Sequence, residues 1–134
     1  MINNIALLVF WIAYALLEGR REAYYFHYAN RSGKSMQHEL HPLFFLQRML
    51  VSLIIFIILP LKKAIVMLLV FALVFSWFHN GMYYFTRNRL DEKVYKKGWT
   101  DNSISSTAKL DFDFYSRTTQ LFLGILLWEV LFCF

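Results

Sequence analysis

Glu18 and Glu22 stand four residues apart, so a helix through them puts both carboxylates on one face, one turn from each other. His79 sits at the polar end of a later apolar run, and His38 and His41 flank a third acid in the string His38-Glu39-Leu40-His41. Carboxylate oxygens and imidazole nitrogens are donors that zinc or iron accepts, so Glu18, Glu22 and His79, helped by His38 or His41, form a candidate divalent-metal set. Glu18 and His79 are also the candidate catalytic pair for acid–base work without a metal, a carboxyl group beside an imidazole suited to shuttling protons. The spacing does not match the established metal motifs. There is no His-Glu-x-x-His, and Glu22 and His27 are five apart rather than in the Glu-x-x-His register of diiron bundles. His41 precedes Pro42, which biases it out of helical conformation, so His38 and His41 are expected on a loop or a helix cap.

Arg48 is the cation that Glu18 requires if both are taken out of water. Ser76, Asn80, Tyr83 and Arg87 recur at helical spacing as one stripe, with His79 at its edge. Together with Glu22, Arg48 and Asp101, the residues Asn80, Tyr83 and Arg87 make up a candidate ligand-binding polar cluster. The string Ser32-Gly33-Lys34-Ser35 imitates the end of a phosphate-binding loop, but Tyr28 stands where the pattern needs its first glycine.

These residues are carried by an unusually apolar chain. Of 134 residues, 58% are hydrophobic and 17% charged, against about half and about a quarter in a soluble domain. The mean hydropathy is +0.42, and the excess lies in four runs: Ile5–Leu17, Leu43–Leu61, Ala64–Phe78 and Leu121–Phe134. A bilayer core of roughly 30 Å takes about 20 helical residues. The second run meets that length, and the third does once its polar end is included. The first spans only by taking Glu18, with or without Glu22, into or near the bilayer, and the fourth by starting near Arg117; the alternative is that one of the two is re-entrant or lies in the interface. Ala13-Tyr14-Ala15 imitates a signal-peptide cleavage site, but no Lys or Arg precedes the run, which reads as a retained helix. The expected fold is therefore all-α, a polytopic membrane protein forming one domain. Its helices cover about 3–29, 43–60, 63–89 and 116–134 in an up-down bundle, the first and fourth short. Cys133 is the single cysteine, which excludes an intramolecular disulfide.

Orientation follows from the basic residues. Eleven Lys and Arg fall in the two long loops and their flanks, and two, Lys62 and Lys63, fall on the other side. Both termini are thus expected outside a bacterial-type cytoplasmic membrane and both long loops inside. The net charge of +5 suits anionic headgroups at the cytoplasmic face rather than nucleic acid, because the basic residues flank apolar runs. This topology sets Glu18, Arg48 and His79, on three different helices, each roughly 7 Å inside the cytoplasmic boundary. A charge there costs about 2–3 kcal/mol even on the lenient insertion scale, so the three are expected to face one another. The loop Asp91–Arg117 is long enough to be functional. Tyr95, Trp99 and the lysines around them suit the headgroup layer, while Asp101 and the neighbouring hydroxyls make turns or a lid over the His79–Arg87 surface.

Three functions are compatible with this pattern. The first is a small membrane protein with an ionisable site at the cytoplasmic leaflet, binding a metal or lipid ligand or acting as an embedded hydrolase. The second is a structural protein in which Glu–Arg–His contacts only hold helices together, with a homo-oligomer or another membrane protein as partner. The third is an oligomeric ion or proton conductor. Glu129, near the outer end of the fourth run, has no partner that the sequence names, and an oligomer contact is one reading of it.

Overall fold

The computed structural model describes residues 2–31, 37–105 and 110–133. The described residues are mostly helical, with an irregular segment over 91–102 and one pair of strands. Helix α1 covers Ile2–Arg31, α2 Gln37–Ser52, α3 Ile55–Ile58, α4 Leu61–Leu90 and α5 Phe114–Cys133. Strands β1 (Ser103–Ser105) and β2 (Leu110–Phe112) pair antiparallel, with Ser103 opposite Phe112.

Helix α4 is the centre of the bundle, packed against α1 on one side and α5 on the other. The core is Leu7 and Trp11 of α1 and Ile55 of α3 against Ala64, Met67, Val70, Phe71 and Val74 of α4. Trp11 stacks on Phe71 at 4.3 Å and donates from its indole nitrogen to the Phe71 carbonyl at 2.9 Å, so a buried polar edge is satisfied within an apolar layer. Ser76 donates to Gln120 at 2.7 Å and ties α4 to α5. Nearer the charged end, α1 and α4 approach so closely that a Cβ at Gly19 would lie 2.3 Å from the His79 carbonyl oxygen. Only glycine permits that approach.

The second helix differs from the sequence expectation at both ends. It begins at Gln37 rather than near residue 43, so His41 lies within a helix and not on a loop or cap. Pro42 sits in the second turn, where only one intrahelical bond is forfeited, and the bias it places on His41 is too small to stop the helix. The same helix is not continuous to residue 60. The Ser52 hydroxyl donates back to the Met49 carbonyl at 2.8 Å, and Ile54, Phe56 and Ile57 bond three residues back rather than four. A hydroxyl competing for a helix carbonyl followed by a tightened turn is a recognised cause of a break. Leu59 is then extended ahead of Pro60, whose carbonyl accepts the first bond of α4 from the Ala64 amide at 2.9 Å.

Among the described residues, two helical stretches are long and apolar enough to cross a membrane, His41–Ile58 and Leu61–Leu90. Only 17% and 28% of their most apolar windows are buried inside the protein. Leu43, Leu46, Leu50, Ile57, Leu61 and Leu69 point outward instead.

The segment after α4 folds back on it. The Trp99 ring lies where a Cβ at Gly81 would be, 2.2 Å from the nearest ring carbon. Arg117, fully buried in the first turn of α5, donates to the Trp99 and Asp101 carbonyls at 2.7 and 2.8 Å and fixes the segment from behind. Asp113 caps α5, its carboxylate accepting from the Ser116 amide at 2.6 Å. The Ser116 hydroxyl, and after it the Ser116 amide, holds the Asp113 carboxyl below the usual carboxylate range.

Candidate metal centre

The charged end of the bundle brings together side chains from three helices. Glu18 and Glu22 extend from one face of α1, Arg48 from α2 and His79 from α4. The two acids and the histidine are 3%, 4% and 5% exposed. Arg48 donates from Nε to Glu18 Oε1 at 2.8 Å and from Nη2 to Glu22 Oε1. The same Nη2 lies 3.1 Å from His79 Nε2, and Glu22 Oε2 lies 3.5 Å from that nitrogen. The close passage of α1 over α4 at Gly19 is what sets His79 between the two acids. Phe75, one turn earlier on α4, stacks on the imidazole at 4.7 Å and lies under the Arg48 guanidinium at 5.0 Å, closing the apolar side.

The orientation of His79 is determined from outside the bundle. The Phe112 carbonyl can only accept, so the Ser103 hydroxyl donates to it at 3.3 Å. Ser103 Oγ then accepts from Asn80 Nδ2 at 3.1 Å. Asn80 Oδ1 accepts in turn from His79 Nδ1 at 2.9 Å. With Nδ1 carrying the proton, the Nε2 lone pair is the one turned toward Arg48 and the acids. A ligating histidine whose other ring nitrogen donates to a fixed oxygen is the usual arrangement around protein-bound metals.

Glu18, Glu22 and His79 each offer one donor atom, and these atoms lie within 4.8 Å of one another. Donors on one zinc ion at about 2.0–2.1 Å are at most about 4 Å apart, so the gap closes with adjustments of about an ångström. The Tyr14 hydroxyl, one turn earlier on α1, is buried against the Glu18 carboxylate.

The other residues singled out in the sequence flank the cluster or lie beyond it. Asn80 orients His79. Tyr83 accepts from Arg87 Nη1 at 2.8 Å, and the Arg87 guanidinium lies 4.0 Å over the Tyr95 ring, beyond the cluster toward the loop. The Asp101 carboxylate accepts from the Gly98 amide at 2.6 Å in a local turn, on a residue that is exposed. His41 packs against Phe26 at 5.0 Å and lies near enough to Glu22 to act on its charge, and the His38 side chain lies outside the described residues. His27 Nδ1 is 3.3 Å from the Tyr95 hydroxyl. Glu129 is exposed on α5. Ser103, read from sequence as a turn former, is a working part of the site. Its partner is 23 residues away, and nothing in the local pattern signals that contact.

Arg21 adds a second cation at the rim, 3.7 Å from Glu18 Oε1, and donates to Gln47 of α2 at 2.9 Å. Comparison with protein-family models, curated proteins and solved structures finds no match for the chain.

Proposed function

We propose that the chain is an integral membrane protein whose buried centre, Glu18, Glu22 and His79, binds a divalent transition metal such as zinc or iron at the cytoplasmic end of a four-span bundle. The observation that carries the metal reading is the convergence of three buried donors from two helices, with the His79 Nε2 lone pair turned inward by Asn80 and Ser103. The membrane reading rests on the outward-facing apolar surface of the two spanning stretches. The core helix of a soluble protein passes the same length and hydropathy test only by burying that surface. Helices α1 and α5 complete the four crossings, with both termini outside and the basic loops against anionic headgroups in the cytoplasm.

Metal analysis of the chain purified in detergent after growth with zinc or iron tests the reading. Stoichiometric metal is expected, lost in Glu22→Gln and His79→Ala variants that keep their helical circular dichroism. Absence of stoichiometric metal from the wild type, or its retention by both variants, rejects the reading. A second reading has an observation in its favour. Arg48 pairs with both carboxylates, so the cluster also suffices to hold three helices together without any ligand. Loss of folding in the same variants, with no metal in the wild type, selects that one.

A further inference from the structure

The atoms that would hold the metal are the atoms that Arg48 holds. Its Nε takes Glu18 Oε1, and its Nη2 takes Glu22 Oε1 and faces His79 Nε2 at 3.1 Å. A nitrogen lone pair cannot receive a guanidinium proton and coordinate a cation at once, so metal at this centre requires Nη2 to withdraw. The acids are matched by the Arg48 guanidinium and, at the rim, by the partly exposed Arg21, 3.7 Å from Glu18. A divalent ion in place of Arg48 sets two positive charges between the same two acids, so the buried carboxylates keep their compensation when the guanidinium leaves.

The helix that carries Arg48 is built to let it go. Close backbone packing joins α1 to α4 and α4 to α5, whereas α2 reaches its neighbours through side chains: Arg48, Gln47 to Arg21, and Phe44 against Phe26. Most of its large apolar side chains face outward. At its far end α2 breaks at Ser52–Ile54 into a tightened turn, beyond which α3 is anchored on α4 through Ile55. Mid-helix turns of this type commonly act as hinges. The Arg48 side chain itself is 23% exposed, so it has a way out toward the α2 side that the acids and His79 lack.

We infer that Arg48 is a built-in competitor for the metal: a divalent cation at Glu18, Glu22 and His79 displaces its guanidinium and frees α2 to move about the break at Ser52–Ile54. This rests on the metal reading above and adds regulation to it, coupling metal occupancy to the position of one helix. The coupling is reciprocal, because whatever holds α2 against α1 weakens the metal, and whatever draws it away strengthens it.

The test uses the full chain in lipid nanodiscs, titrated with zinc against a competing chelator, for wild type, Arg48→Met and Arg48→Lys. Removing the competitor is expected to tighten zinc binding at least tenfold in Arg48→Met. In Arg48→Lys, a single ammonium cannot span both acids and the imidazole, so tightening of a few-fold is expected. Hydrogen exchange over residues 41–52 is expected to rise when zinc binds the wild type, and to be high with or without zinc in Arg48→Met. Should Arg48→Met fail to fold, the lysine variant decides the affinity question. Zinc binding of equal or lower affinity in the variants overturns the competition while leaving the metal centre intact. Tighter binding with unchanged exchange in α2 overturns the release. Zinc bound by none of the three folded proteins overturns the metal reading and the competition together.

Discussion

Asn80 donates to Ser103 at 3.1 Å, and through that bond a side chain on the hairpin determines which nitrogen of a bundle histidine carries its proton. Partners behind a metal-ligating histidine commonly carry 10- to 100-fold in metal affinity. Asn80→Leu removes the acceptor at His79 Nδ1 altogether and is expected to weaken zinc binding by about that factor. Ser103→Ala leaves Asn80 in place but free to turn, so a smaller loss is expected, roughly tenfold at most. Chelator competition measures both. Equal zinc affinity in wild type and Asn80→Leu would show that the tautomer is not set through this contact.

Gly19 sits where α1 crosses the His79 carbonyl, and a Cβ there overlaps it at 2.3 Å. Gly19→Ala is expected to push the helices apart at the cost of about 1–3 kcal/mol, the usual range for overpacking. The backbone of His79 is the atom group in the way, so metal affinity falls along with stability. A thermal melt in detergent together with a zinc titration reads both. An alanine variant as stable as the wild type would mean that α1 and α4 do not approach this closely.

Glu18 and Glu22 share one guanidinium, which makes their losses non-additive. Glu18→Gln leaves Arg48 paired to Glu22 and should destabilise modestly. The double variant Glu18→Gln, Glu22→Gln leaves a charge with no carboxylate beside it, and removing the partner of a buried charge costs about 3–5 kcal/mol. Arg48 is partly exposed, so the lower end applies. Chemical unfolding of the single and double variants checks this. A double effect equal to the sum of the singles would show that the two acids act independently.

Asp113 gives a pH dependence of definite sign. The Ser116 hydroxyl and then its amide favour the ionised carboxylate, so the folded pKa lies below the unfolded value of about 3.9. The capping contribution is present above that value and is lost as pH falls through the folded pKa. Exchange of the Ser116 amide is expected to lose protection in that acid window in the wild type. In Asp113→Ala it should lack that protection at every pH. Protection that is insensitive to the alanine substitution would assign the end of α5 to other contacts.

The sequence shows where charge must meet charge more clearly than it shows how the meeting is arranged. Glu18, Arg48 and His79 are legible as neighbours because each lies at a similar depth from the expected cytoplasmic boundary of its helix. The break in α2 is not legible, since no proline or glycine stands at 52–54 and the cause is one hydroxyl, Ser52, choosing a backbone carbonyl. The start of α2 misleads for a related reason: the conformational bias before Pro42 is local and weak, and the continuing helix outweighs it. The Asn80–Ser103 bond depends on a hairpin returning across α4, and Gly19 declares its purpose only when the partner backbone is known. Contacts set by periodicity are visible in one dimension, whereas those set by a single side chain closing a long loop are not.

Residues 18 and 22 are synthesised well before residue 48, and that order has a consequence for biogenesis. On the membrane reading, α1 emerges with two carboxylates and no guanidinium to meet them, so alone it is a poor candidate for stable insertion. Arg48 arrives with the next helix, and the acids enter the bilayer at low cost only once it is present. Helices α1 and α2 then go in as a pair, and a nascent chain stopped before Arg48 should remain extractable by alkali, whereas one extended through Pro60 should not. The ion pair that holds the finished bundle together is in this sense also its entry permit.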